Sequence, residues 1–283
     1  MNTKICLLPR GPRLAAAWAL VGMALAAPWA WHRWAPSATS PEAAQSTTYE
    51  VQGAPAIAAF THLPTFAEAK RSLFRRVYFD HRQTLYCDCR FDANRHVDLN
   101  SCGLAQLAGH TRAARIEVEH VFPAAQFGQS RACWRAPVNF PECIKPNGKA
   151  RSGRECCLRV DPTFVAAHND LQNLYPEDGY LNGRRSNWNW GMTTGGRTYG
   201  TCPMRFDASI RRVQPPPAIR GPIARTMLYM RDTYGFRLSR QDEQLFGAWN
   251  NEGPPDAWEI ERNRRIRAIQ GQGNGYVENY RKL

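Results

Sequence analysis

Residues 115–128 read RIEVEHVFPAAQFG, an alternation of apolar and ionisable residues that ends in the adjacent pair Glu119–His120 and then Pro123. A carboxylate beside an imidazole joins an oxygen ligand for a hard cation to a base that titrates near neutrality. A hydrolytic phosphodiesterase needs both functions, one to activate water and one to offset charge building on the phosphate. The plainer reading is a solvated strand end, since Glu-His dipeptides are common. Alternate strand residues face opposite ways, so the pair can serve one site only if the strand ends or bends there. Pro123 fits such a stop.

A second polar stretch, DLQNLYPEDGYLNGRRSN (170–187), holds neutral carbonyl oxygens on Asn173 and Asn182 and phosphate donors on Arg184 and Arg185. Mg²⁺ commonly takes one or two protein oxygens and fills its remaining positions with water and substrate phosphate. One Glu and one Asn would therefore suffice. Read alone, the stretch is a polar loop.

The elements that must position these groups can be outlined from periodicity. FAEAKRSLFRRVYF, after Thr65, predicts a helix with Phe66, Leu73, Val77 and Tyr78 on roughly one face. Residues 115–121 predict a strand, and 134–160 an irregular excursion rich in proline, glycine and cysteine. In the C-terminal third, AIRGPIARTMLYMRDTYG predicts a helix that stops near Gly235. SRQDEQLFGAWN predicts one capped by Ser239, and DAWEIERNRRIRAIQG one with a capping box at Asp256 and Glu259 and a stop at Gly271. No internal repeat is evident. The expectation is one α+β domain over 65–283 in which helices outnumber strands. Residues 31–64, rich in Ala, Pro, Ser and Thr, read as a flexible arm.

Residues 1–30 carry Lys4, Arg10 and Arg13 and then the apolar run Leu14–Ala30. That pattern predicts export through a signal peptide or, if uncleaved, an N-terminal membrane anchor. The expected location is periplasmic or secreted. Of nine cysteines, Cys6 lies in this leader, and the other eight form an even set that predicts four disulfides in an oxidising compartment. Zinc is the rival, disfavoured because no C-x₂-C spacing is present. The chain has 37 Lys+Arg against 24 Asp+Glu, a formal charge of +13. Most of these cations are arginines, suited to bidentate phosphate contact, so polyanions are the expected partners. No base-reading element such as a helix-turn-helix or zinc finger is recognisable, which predicts salt-sensitive, sequence-tolerant binding.

From Ala67 to Val277 the chain resembles the endonuclease I family of periplasmic and secreted bacterial nucleases, whose sites are of the ββα-metal type. The resemblance is carried by the Cys-x-Cys at 87–89, LNSCG, RIEVEHVFPAAQFG, RACW, DLQNLYP, LNGRRSN, YGTCPM, IARTMLYM, LFGAWN and DAWEIERNRRIRAIQG, in that order. It implies a disulfide-stabilised, mainly helical domain with a small sheet around a ββα-metal core. It implies His120 as general base, Glu119 and Asn182 as ligands of a single Mg²⁺ (Mn²⁺ or Ca²⁺ substituting), and Arg154 as the phosphate-binding cation. Glu117 falls where the family keeps another acid near the site, and Arg184 and Arg185 are expected to contact substrate. The implied activity is sequence-nonspecific hydrolysis of DNA and RNA by a monomer, leaving 5′-phosphates. The alternative is a catalytically weak nucleic-acid-binding surface protein, tethered if the leader remains.

The chain departs from the family pattern at several places. The family run Glu-x-Asp-Leu-His-Asn-Leu is HNDLQNL here, so His168 replaces the acid and Gln172 the histidine. His168 could then orient His120 only as a neutral partner. Arg184 stands in place of an aspartate, and Ile260 in place of a cysteine, while Cys143 and Cys156 appear inside the excursion. The resemblance implies Cys87–Cys202, Cys89–Cys102 and Cys133–Cys157. Cys143–Cys156 is then the added bridge, with a swap between Cys156 and Cys157 left open.

Overall fold

The computed structural model describes residues 62–283. The leader and nearly all of the arm therefore lie outside the described residues.

Thr65 caps the first helix, α1 (Phe66–Ser72), by accepting from the Glu68 amide at 3.2 Å. The expected helix continues, but its last turn, Leu73–Val77, widens to π geometry, closed by Tyr78 N donating to Leu73 O at 2.8 Å. Ala69, Leu73 and Val77 make the buried stripe. Phe66 sits off that stripe, a difference that matters at the site. A two-residue ribbon, β1 (Arg90–Phe91) with β2 (Val97–Asp98), follows.

Strand β3 (Ile116–His120) pairs antiparallel with β4 (Leu174–Asp178), with Glu117 opposite Glu177 and His120 opposite Leu174. β4 is invisible to strand propensity because LYPED contains a proline and two acids, yet every one of its residues is buried. Its outer edge is covered by the 84–86 segment, where Leu85 N donates to Pro176 O and Tyr86 N to the Glu177 carboxylate.

Between the two strands run α2 (Ala124–Gly128), α3 (Ala132–Arg135), α4 (Gly153–Val160) and α5 (Pro162–Asn169). The excursion expected to be irregular thus ends in a helix, begun by a complete Ser152–Glu155 capping box. After β4, helix α6 (Gly179–Arg185) starts at once, capped by Asp178, which accepts from the Tyr180 and Leu181 amides. A second sheet, unanticipated from sequence, is built from β5 (Asn189–Trp190), β6 (Arg197–Tyr199), β7 (Cys202–Asp207) and β8 (Arg212–Gln214) in the order β5-β8-β7-β6.

The three C-terminal helices α7 (Pro217–Tyr234), α8 (Arg240–Asn251) and α9 (Ala257–Gln270) begin and end where the sequence places them, and α10 (Gly275–Glu278) follows. Asp256 caps α9 through the Glu259 amide, but the Glu259 side chain does not return the bond; it pairs with Arg225 on α7. Arg262 of α9 is buried and donates to Leu171 O and Leu174 O, tying the helix to the entry of β4.

Four disulfides join Cys87 to Cys202, Cys89 to Cys102, Cys133 to Cys157 and Cys143 to Cys156. Three of these are the pairs the resemblance implies and Cys143–Cys156 is the added bridge, so the Cys156–Cys157 swap does not occur. Two of the four anchor α4 at its adjacent residues Cys156 and Cys157.

Candidate active site

β3 stops at His120 because Asn173 captures the next residues. Val121 N donates to Asn173 O, and the Asn173 side chain both accepts from Phe122 N at 2.6 Å and donates to Phe122 O at 3.0 Å. Asn173, a candidate oxygen ligand in the sequence, is fully buried and acts as this clamp.

Arg185, grouped with Arg184 as a substrate contact, is also turned inward. It is 1% exposed, with Nη1 on His120 O at 2.8 Å and Nη2 on Val121 O at 2.6 Å. Trp190 Nε1 shares the Val121 carbonyl, and the guanidinium rests 4.5 Å from the Trp190 ring centroid. Arg184, one position earlier on α6, remains exposed.

The break lets one cleft of about 460 Å³ reach both faces of the strand end. Glu117, Glu119, His120, Arg154, Asn182 and Arg185 all line it. On one side, Glu119 is buried; its Oε1 accepts from Tyr86 Oη at 2.5 Å and forms an ion pair with Arg185 Nη1 at 2.7 Å. Burial pushes its carboxyl pKa up, against the opposing pull of Arg185 and the Tyr86 hydroxyl.

On the other side, His120 lies against Phe66 at 5.5 Å and against the His168 ring at 4.6 Å between centroids. Its Nε2 is 2.8 Å from the main-chain oxygen of His168. A carbonyl only accepts, so Nε2 carries the proton and Nδ1 is the basic nitrogen. Burial above all holds this imidazole well below its ordinary pKa, keeping it neutral. The His168 side chain is buried too, with Nδ1 3.0 Å from Asn169 Oδ1, and burial lowers its pKa to about 4. It is therefore neutral near pH 7 and does not repel His120.

Glu117, two residues before Glu119, is held by Arg112 Nη2 at 2.7 Å and Arg115 Nη2 at 2.8 Å. Burial alone would raise its pKa, but the two guanidinium groups outweigh it and hold the carboxyl low. Its Oε2 also accepts from Asn182 Nδ2 at 3.3 Å, which leaves the Asn182 carbonyl oxygen as that side chain's ligand atom. Arg154 reaches the cleft from the first turn of α4. That turn packs hard on the preceding chain: a Cβ on Gly153 would stand 2.4 Å from Trp134 O, so only glycine fits. Gln172, which replaces the family histidine, is buried and bonded to Asn263, away from the cleft.

A carboxylate and a neutral amide oxygen in one open cleft, with an arginine on its wall, form a donor set that fits a hard divalent cation needing few protein ligands. Among the described residues no group of three or more His, Cys, Asp or Glu side chains could hold a metal. Tyr86 and Arg112 carry this geometry without any signal in their local sequence.

An α+β domain whose strand end presents a neutral imidazole, a carboxylate and an arginine to one cleft has the equipment of a phosphodiester hydrolase. Residues 65–281 match the endonuclease I family, and the chain belongs to it. It is 39% identical over 224 residues to an extracellular deoxyribonuclease of Aeromonas hydrophila, covering 77% of this chain and 90% of that protein. A periplasmic deoxyribonuclease of the same organism is 39% identical over 219 residues (76% and 85%). Endonuclease-1 of Buchnera aphidicola is 35% identical over 213 residues (73% and 80%).

Proposed function

We propose that this protein is an exported endonuclease that hydrolyses phosphodiester bonds of DNA and RNA without base readout, with β3, β4 and α6 as a ββα-metal core. The observation that carries this reading is the His120 imidazole, fixed through Nε2 by a main-chain carbonyl beside the Glu119 carboxylate. Nδ1 of His120 takes the proton of the attacking water. Glu119 and Asn182 would hold a single Mg²⁺, with Mn²⁺ or Ca²⁺ able to substitute. Such an ion, when bound, polarises the phosphate and stabilises the leaving 3′-oxygen. Arg154 binds the phosphate and offsets charge developing in the transition state. Glu117 keeps the Asn182 amide turned for ligation, and Arg184 contacts the phosphate backbone from outside the cleft. Arg185 acts by positioning Glu119 and the strand end rather than by touching substrate. Cleavage on the 3′-oxygen side gives 5′-phosphate ends.

The names of the extracellular and periplasmic relatives support export. The test is the oxidised protein with supercoiled plasmid and a structured RNA in Mg²⁺, in EDTA, and as His120→Ala. Degradation of both substrates in Mg²⁺, stopped by chelator and substitution alike, is the expected result. If wild type and variant are equally inert yet both retard plasmid on a gel, the chain is a nucleic-acid binder. The orientation of His120 by a main-chain atom argues against that second reading, because replacing the acid at position 168 leaves the base in place.

A further inference from the structure

A second concavity, of about 610 Å³, opens along α1 and the β1–β2 ribbon, outside the cleft. Lys70, Arg71, Arg75, Arg82 and Arg95 line it, with Asp92 as the one anion in the wall. Asp92 is itself occupied, accepting from His96 N at 2.8 Å. Among the described residues Lys70, Arg75, Arg82 and Arg95 make no ion pair, and Arg71 has only a 3.6 Å contact with Glu68. Arg112, Arg115 and Arg264, elsewhere on the surface, each meet a carboxylate. Like charges gathered without counter-charges repel one another, so the cluster is electrostatically incomplete until an anion enters.

The groove is also lined with aromatic rings. Arg95 lies over Phe74 at 5.3 Å, and Phe79 is 49% exposed with the Arg265 guanidinium 4.6 Å from its ring centroid. The widened π turn at Leu73–Val77 carries Phe74 and Arg75 into this wall. Such turns recur at functional sites. Cations interleaved with rings are the physical form of a surface that tracks a nucleic-acid backbone while tolerating any base.

Helix α1 touches both the groove and the site. Phe66 stacks on His120, Lys70 sits 5.0 Å over Phe66, and Phe74 follows one turn later. From Phe66 to Phe74 is roughly 12 Å at about 1.5 Å per residue, which is three to four phosphate steps at about 3.4 Å per strand.

We propose that this groove is a second phosphate-binding surface, which holds the nucleic-acid strand flanking the bond positioned in the cleft. The proposal rests on the nuclease reading above and extends the substrate contact along α1. It makes the protein prefer long polyanionic substrates over short ones at equal phosphodiester chemistry.

The test compares a duplex of about 6 base pairs, which fills the cleft alone, with one of about 40, at several salt concentrations. Wild type, Arg75→Ala/Arg82→Ala, Arg75→Glu/Arg82→Glu and the distant pair Arg240→Ala/Arg281→Ala are assayed. Binding is followed by fluorescence anisotropy in EDTA, and cleavage separately in Mg²⁺. The alanine pair should weaken binding of the long duplex about tenfold and reduce its log–log salt slope by about two, with a larger loss for the glutamate pair. KM on long DNA should rise with kcat unchanged, while the short duplex is cut at the wild-type rate. Equal loss on both lengths, no loss, or the same loss in the distant pair would overturn the proposal. A wild type inert on every substrate would sink the nuclease reading instead, and the EDTA binding series would still decide the groove.

Discussion

Arg225–Glu259 and Arg185–Glu119 are both buried arginine–glutamate pairs, but they use their atoms differently. Between α7 and α9, Arg225 meets Glu259 in a fork, Nε on Oε1 at 2.7 Å and Nη2 on Oε2 at 2.5 Å, and its remaining Nη1 donates to Gly253 O. Both carboxylate oxygens are engaged by one guanidinium. At the cleft, Arg185 meets only Oε1 of Glu119, an oxygen already receiving the Tyr86 hydroxyl, and spends its other donors on two main-chain carbonyls. Its Nε is buried without a partner. A bidentate match in a closed interior satisfies both ions and resists exchange. A one-point match beside open solvent orients a carboxylate and leaves it able to accept a further cation. The first pair serves architecture, and the second is the one the proposed mechanism draws on.

The sharpest way to break this comparison is to remove each glutamate's charge in turn. Glu119→Gln should lower kcat/KM about a thousandfold, several kcal/mol of lost transition-state stabilisation, while the urea midpoint moves little because Arg185 keeps both carbonyls. Glu259→Ala should do the reverse, costing about 3–5 kcal/mol by stranding Arg225, with activity per folded molecule preserved. Denaturation curves and steady-state rates on the same preparations check both; a matching loss of stability and activity in the two variants would erase the distinction.

A buried base with no carboxylate sharpens the point further. His168 has only Asn169 as its side-chain partner, and burial takes its pKa from 6.5 down to about 4. The unfolded chain therefore binds its proton more readily. This contribution to stability is full above about pH 6.5 and is lost as pH falls toward 4, amounting to about 3 kcal/mol. His168→Gln should flatten that part of the stability–pH curve. The smallest effect is expected at Arg184, exposed and outside every buried pair: Arg184→Ala should raise KM two- to fivefold and reduce the salt slope by about one. No change in slope would remove it from the substrate contact.

What the sequence revealed tracks how local the determining physics is. The three long C-terminal helices were legible to the residue at Ser239, Asp256, Gly235 and Gly271, because caps and left-handed stops act within one turn. α4 carried an equally local signal in Ser152 and Glu155, hidden by the surrounding prolines and cysteines. β4 gave none, since its proline and Glu177 tolerate burial there through Leu85 and Tyr86, distant in sequence, while Asp178 is satisfied by the amides of the helix it caps. At the site, His120, Glu119, Asn182 and Arg154 could be singled out by chemistry and resemblance, and the structure gathers them in one cleft. Arg185 looked like a phosphate donor and Asn173 like an oxygen ligand because composition cannot say which way a side chain turns. Their inward roles follow from main-chain carbonyls and amides that no motif encodes.

The bond from His120 to the peptide oxygen at position 168 has a consequence for how this protein can change. A peptide oxygen is supplied whatever codon stands there, so the aim of the imidazole is inherited from where α5 ends and not from any side chain. The side chain at position 168 is thereby released from aiming the imidazole and answers to its packing against Phe66, Phe164 and the His120 ring. That freedom lets a buried histidine occupy a place where the family pattern writes an acid.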